Sequence, residues 1–324
     1  MTKRQLSKQQ TIRIQKKQAN YQQVSEKTGE LNQDGLVIAR FSRHAEIETK
    51  HGSRLLCSIR PTIDSLVAGD RVIWQPTSNN KQGVVVSRYP RQSVLGRPDK
   101  RHGSKPVAAN ISQVIVVVAP KPELVWSLLD SYLVMAENLR LKLTIVLNKI
   151  DLPCESLRQE LLDCYQPLGY QVLFTRQAKC YGYDSLQKAL NQHVSVFVGQ
   201  SGVGKSSLIA GILPHETKIQ VADISSQSEL GCHTTSNSRL YHLLTGGSII
   251  DSPGVREFGL WRMSFADIVY GFREFRDLVS ECKYRNCNHR DSPGCAIIKA
   301  SKQNPLLQRR YDSLITISLH SGAT

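Results

Sequence analysis

Long apolar runs are missing from this 324-residue sequence. The longest, Val114 to Ala119, has the length of a strand and falls far short of the roughly 20 residues that span a bilayer. The N-terminus is basic but has no apolar core of the kind an export signal needs, so the expected compartment is the cytoplasm. Acidic residues are scarce too: 27 Asp and Glu against 42 Lys and Arg give a formal net charge of +15. That imbalance calls for a polyanionic partner, and without a membrane segment nucleic acid is the better choice. No internal repeat is evident. What is present is ample core material: 40% of residues are hydrophobic, which excludes wholesale disorder. The length suits about two domains, with three small ones also compatible.

Composition changes along the chain and marks out four stretches. Residues 1–34 carry Lys3, Arg4, Lys8, Arg13, Lys16 and Lys17, with no acid before Glu26, and read as a basic flexible arm. Over 35–103, the runs GLVIARF, AEIET, RLLCSIR, DRVIWQP and GVVVSRYP are separated by Gly, Asn, Ser and Pro. Five short strands in so small a space predict an OB-fold β-barrel, and its many arginines suit RNA contact. Over 104–272, apolar strands alternate with helical patterns. ISQVIVVVAP in particular is continuously apolar, as a strand buried on both faces of a parallel sheet must be. This rhythm predicts a doubly wound α/β domain whose loops gather at one sheet edge. Residues 273–324 hold a Cys/His cluster and a helical tail.

A phosphate-binding loop lies in the third stretch. Gly199, Gln200, Ser201, Gly202, Val203, Gly204, Lys205 and Ser206 spell G-x-x-x-x-G-K-S between the strand VSVFV and the helix KSSLIAGIL, which continues through Ser207. The glycines let backbone N–H groups turn towards the phosphates at a helix N-terminus. Lys205 is placed to reach the β- and γ-phosphates, and the Ser206 hydroxyl to ligate Mg²⁺. The acid on the metal side should end a neighbouring strand, and Asp251 does so in Asp251-Ser-Pro-Gly254, with the Gly254 amide expected to sense the γ-phosphate. Asn148, Lys149, Ile150 and Asp151 follow the strand LTIVL and form N-K-x-D. The Asp151 carboxylate can accept two hydrogen bonds from guanine, whereas adenine would leave it unpaired. GTP is therefore the expected substrate. The loop Phe174–Lys179 sits where a second base contact belongs.

In ordinary GTPases the base-reading motif follows the phosphate loop; here it precedes it, so the domain reads as circularly permuted. Between the two phosphate-side motifs lies Gly231-Cys-His-Thr-Thr-Ser236. Thr234 and Thr235 are the candidates for a second Mg²⁺ ligand, Thr235 being the one assigned to the metal. Val255 stands where Ras-like enzymes carry a water-orienting glutamine, so His233 is the candidate catalytic residue, with Arg256 as an alternative. Near the C-terminus, Cys282, Cys287, His289 and Cys295 supply three thiolates and one imidazole, the usual closed set of structural zinc. The other five cysteines are scattered and expected to be reduced.

Taken together these motifs resemble the ribosome small-subunit-dependent GTPases, circularly permuted enzymes of bacterial ribosome maturation. The resemblance runs from Gly35 to about Ile298 and is carried by LVAGDRVIW, VLNKIDL, GQSGVGKSSL, Gly231-Cys-His-Thr-Thr, IIDSPGVREFGLW and CKYRNCNHRDSPGCAI. It implies late assembly of the 30S subunit: docking on 16S rRNA, release of late assembly factors, and GTP hydrolysis stimulated by the subunit. The family's catalytic histidine matches His233, and the expected state is a monomer. Ser236 departs from the family's third threonine, and Thr175 and Arg176 depart from its usual second base loop. A GTP-gated RNA-binding module with incidental hydrolysis is the competing reading.

Overall fold

The computed structural model describes residues 32–63, 65–77, 82–99, 103–213, 238–251 and 263–321. Most of the basic arm, and all of Cys232, His233, Thr234, Thr235, Ser236, Gly254, Val255 and Arg256, lie outside the described residues. Gln33 and Asp34, read from sequence as the end of the arm, belong to the first strand.

Five strands build the N-terminal barrel: β1 (Gln33–Phe41), β2 (His44–Thr49), β3 (Arg54–Ile59), β4 (Arg71–Pro76) and β5 (Gln82–Arg88). They pair in the order β1-β2-β3-β5-β4, and β1 also pairs with β4, which closes the sheet on itself. Inward residues Val37, Ala45, Ile47, Val72, Trp74 and Val85 fill the interior. The Val67–Asp70 turn feeds β4 and is pinned by Asp70, fully buried, which accepts from Arg91 at 2.7 and 2.8 Å and from the Val67 amide at 2.8 Å. A hairpin of β6 (Val94–Asp99) and β7 (Gly103–Ala109) follows, so the expected break after residue 103 falls within β7.

The second sheet region holds β8 (Gln113–Val118), β9 (Lys142–Leu147), β10 (Gln171–Phe174), β11 (Val194–Val198), β12 (Arg239–His242) and β13 (Ser248–Asp251), ordered β10-β9-β8-β11-β13-β12. All are parallel except β12. On β8, Val114, Val116 and Val118 face α1 (Trp126–Asn138) and α2 (Glu155–Tyr165). Ile115 and Val117 pack instead with α3 (Tyr183–Leu190) and α4 (Lys205–Ile212). Both faces are thereby buried, which is why the strand reads as unbroken Val and Ile. Between Ala39 and Arg239, β12 pairs with β1, so barrel and α/β layer share one hydrogen-bonded sheet.

The C-terminal module contains α5 (Phe265–Tyr270), α6 (Ala296–Gln303) and α7 (Pro305–His320). A capping box between Ser264 and Asp267 starts α5, while Asn304 caps α7 with proline in its first turn. Its core joins Ile268, Phe272, Phe275, Ile297 and Leu314 to Val134 of α1, so the expected boundary after 272 cuts through this cluster. The seam with α1 is charged. Arg310, 1% exposed, pairs with Asp130 of α1 and with Glu274, and Tyr165 donates to Asp130 at 2.6 Å. Glu137, also on α1, takes Arg273 and Arg276 at 2.6 Å each. No helix among the described residues is long and apolar enough to cross a membrane.

Candidate nucleotide site and metal centre

The carboxyl ends of β9, β11 and β13 deliver three loops to one edge, the place where open α/β sheets bind ligands. At the end of β11 the chain turns sharply through Gly199 (φ +137°), where a Cβ would lie 2.2 Å from the Val117 carbonyl. Gly204 closes the loop at φ +96°, and a Cβ there would lie 2.4 Å from Asn148 Nδ2. Only glycine permits both approaches. Lys205 opens α4 with its side chain drawn back over the loop, Nζ donating to the Gly199 carbonyl at 2.7 Å and the Gln200 carbonyl at 2.5 Å. Ser206 and Ser207 are exposed on the first turn, and Ser201 and Gly202 on the loop.

The N-K-x-D segment is bolted to this loop. Asn148, 5% exposed, donates from Nδ2 to the Val203 carbonyl at 3.0 Å and accepts at Oδ1 from the Thr175 hydroxyl at 3.0 Å. Lys149 adopts φ +60° and sends Nζ to the Gly202 carbonyl at 2.6 Å and the Lys121 carbonyl at 3.0 Å. The Ile150 amide donates to the Thr175 carbonyl, and Asp151 is exposed beside it. Asp251 ends β13, next to β11, on the same edge. Thus the described members of the phosphate, base and acid motifs converge although Asp151 precedes Gly199 in the chain. Two participants are poorly marked in the sequence. Thr175 holds Asn148 from the far side, and the sequence marks it only as part of the 174–179 loop and as a departure from the family's second base loop. Gln200 braces the phosphate loop against the 119–125 loop, donating to the Glu123 carbonyl at 3.1 Å and accepting from the Val125 amide at 3.3 Å.

Cys282, Cys287, His289 and Cys295 converge separately in the C-terminal module, with one ligand atom from each lying within 4.8 Å of all the others. His289 Nδ1 is 3.6 Å from Cys282 Sγ and 3.4 Å from Cys295 Sγ, and those two sulfurs are 4.0 Å apart. Tetrahedral Zn–S bonds of about 2.3 Å place sulfurs roughly 3.8 Å apart, so this cluster has the right size for a metal. Burial pushes the His289 imidazole below its ordinary value, which favours the neutral, ligating form. Burial also pushes the Cys295 thiol up to about 11. At Cys287 burial acts in the same direction, but hydrogen bonds from the His289 amide and Ser292 hold the thiol below its usual range. The Tyr311 hydroxyl of α7 donates to the His289 carbonyl at 2.9 Å and ties the knuckle to the helices.

Known proteins resemble this chain over most of its length. The sequence profile of the RsgA GTPases matches residues 88–261. A protein of Photorhabdus laumondii named small ribosomal subunit biogenesis GTPase RsgA is 45% identical over 97% of this chain and 94% of its own length. The protein of the same name from Alcanivorax borkumensis is 45% identical over 98% and 96%. Among solved structures, YjeQ from Thermotoga maritima superposes with a TM-score of 0.71 at 30% identity, covering 89% of this chain and 97% of its own. YloQ, described as a circularly permuted GTPase, gives 0.70 at 26% identity, covering 90% and 95%. The family implies GTP and Mg²⁺. This chain belongs to the RsgA family of circularly permuted GTPases and is a GTP-hydrolysing enzyme.

Proposed function

We propose that this enzyme couples GTP hydrolysis to late maturation of the 30S ribosomal subunit in the cytoplasm, binding 16S rRNA as a monomer and turning over faster on the subunit. The observation that carries the reading is coverage. Likeness to a small ribosomal subunit biogenesis GTPase extends over 97% of the chain, barrel and C-terminal module included, and not over the GTPase layer alone. The net charge of +15 supports a nucleic-acid partner.

Within this reading Asp151 selects guanine, Lys149 lies along the base, and Asn148 fixes the base loop against the phosphate loop. Residues 199–204 and Lys205 hold the phosphates. The oxygen donors of Ser206 and Asp251, on the same sheet edge, fit a hard cation, and Thr235 is assigned as a further ligand. Mg²⁺ held there neutralises charge on the phosphates. The roles of Gly254 as γ-phosphate sensor, of Thr234 or Thr235 in the switch, and of His233 in orienting water rest on the sequence motifs. The Cys₃His cluster is assigned to structural zinc because all its ligands come from the protein.

Turnover assayed with isolated 30S, 50S and 70S particles tests the proposal. Stimulation by 30S alone, roughly tenfold or more, is expected of an enzyme whose switch is ordered by its partner. Equal rates with and without 30S would leave a GTP-gated RNA-binding module in its place.

A further inference from the structure

The start of α1 lacks the residues that usually fix the beginning of a helix. Its first helical residue is Trp126, and Val125 before it carries no oxygen to cap the turn. No acid lies in the first turn, and Leu128 at the third position cannot bond back to the Val125 amide as the Glu or Gln of a capping box does. Gln200, in the 199–206 loop, supplies that bond instead. Its Oε1 accepts from the Val125 amide at 3.3 Å, and its Nε2 donates to the Glu123 carbonyl at 3.1 Å. Gly199 and Gln200 also share a small cavity with Leu128, Leu129 and Tyr132, so they lie against the first two turns of α1. One residue further on, the C-terminal module takes hold. The Arg309 guanidinium of α7 stands 3.8 Å from the centre of the Trp126 ring, and Trp126 stacks on Tyr165 with ring centroids 6.4 Å apart. Arg309 is fixed there by Nη1, which donates to the Tyr165 hydroxyl at 3.3 Å, and by Nη2, 2.6 Å from Cys164 Sγ. A single peptide bond, between Val125 and Trp126, therefore separates a contact of the loop from a contact of the module.

We propose that Gln200 is a positioning residue that makes docking of the C-terminal module depend on nucleotide. This rests on the reading of residues 199–206 as the phosphate loop. Phosphates held by the loop amides restrict its backbone, and with it the Gln200 side chain that holds the start of α1. The first turn of α1 then presents the Trp126 ring to Arg309, while Arg310, one place along α7, keeps Asp130. Linkage runs both ways: a seated module holds α1, and through Gln200 it favours the loop geometry that binds phosphate. A load on the module is thereby felt at the nucleotide with no contact there.

Binding of a fluorescent GDP analogue to the full chain tests the link as a double-mutant cycle. Arg309→Met should weaken binding roughly threefold, within the range by which residues lying between coupled sites alter the coupling. In a Gln200→Met background, which keeps the side-chain length but neither hydrogen bond, the same Arg309→Met change should leave the affinity where it was. Hydrogen exchange gives a readout that a merely structural glutamine would not move. Saturating GDP should slow amide exchange in α7 of the natural chain by roughly the same factor and leave it unchanged in Gln200→Met. No effect of Arg309→Met in the first background, an equal effect in both, or equal slowing in both chains overturns the proposal. Lys205→Ala is the separate control and should weaken binding by roughly tenfold or more. If binding survives that change intact, the phosphate-loop reading has failed. If binding is lost there while the cycle shows no coupling, the Gln200 link alone has failed. Thermal melts by circular dichroism establish that each variant is folded. Arg309→Lys, which keeps the charge but not the planar stack, takes the place of an Arg309→Met chain that does not fold and should give a smaller effect of the same sign.

Discussion

Thr175 shows how a residue can support the candidate site through another side chain. Its hydroxyl is buried and donates to Asn148 Oδ1, while its carbonyl receives the Ile150 amide, so one residue fixes both ends of the base-reading turn. Thr175→Val keeps the shape but leaves a buried amide oxygen without its donor, at a cost of about 1–3 kcal/mol. Because Asn148 is also bonded to Val203 in the phosphate loop, the loss should spread to both halves of the site. The expected result in equilibrium binding is roughly tenfold weaker GDP affinity with guanine preference over adenine retained. Unchanged affinity would mean that Val203 alone holds Asn148. Sequence reading located the base and phosphate motifs because each is a short contiguous string with a fixed chemical task. It marked Thr175 only as a departure, because a hydroxyl that supports another side chain leaves no local pattern.

At the scale of elements, α1 is the seam between the GTPase layer and the C-terminal module. One face packs on β8, and its acids Asp130 and Glu137 receive Arg310, Arg273 and Arg276 from the module. Burial tends to raise the Glu137 carboxyl, but hydrogen bonds from Arg273 and Arg276 prevail and hold it below its ordinary value of 4.5. A carboxyl lowered on folding stabilises the native state above its unfolded value, and that contribution fades as pH falls through the folded one. Stability of the seam should therefore be constant with respect to Glu137 near neutrality and decline below about pH 4.5. Glu137→Gln should start less stable and show a shallower acid slope in urea unfolding. Protonation of the Cys/His cluster is common to both chains, so it is the difference in slope that reports Glu137; identical slopes would exclude the carboxyl. None of this seam was readable beforehand. Asp130 and Arg310 are 180 residues apart in sequence, as Glu46 and Arg239 are 193 apart, and only the fold brings them together. The strands and helices themselves were readable, since burial on one or two faces writes its period into the sequence.

For the whole molecule, the seam couples the Cys/His cluster to the GTPase layer. The knuckle of 282–295 is tied by Tyr311 to α7, and α7 carries Arg310 into the buried contact with α1. A metal held by this cluster, as proposed, would add its binding free energy to folding, and its removal would forfeit that contribution. Loss of α7 would then strand Asp130, fully buried, without its cation. A strong chelator should accordingly lower the melting temperature of the entire chain, by about 5 °C or more, and not merely unravel its tail. Calorimetry with and without chelator, with metal analysis of the eluted protein, provides the measurement. A melt indifferent to chelation would remove the metal from the account of stability.

The permuted strand order also sets a timetable for synthesis. The central strand β8 is flanked by β9 on one side and β11 on the other, and Gln113 and Ser195, hydrogen-bonded across the latter pair, are 82 residues apart. At about 5–20 residues per second a ribosome needs roughly 4–16 s to cover that interval. During it the nascent chain presents the open side of a Val- and Ile-rich strand, a surface prone to pairing with other chains. The loop at 148–151, proposed to read guanine, is also made before the proposed phosphate loop at 199–206, so on that reading nucleotide cannot help to hold the half-built sheet. The growing polypeptide must wait for β11 before that side of β8 is covered.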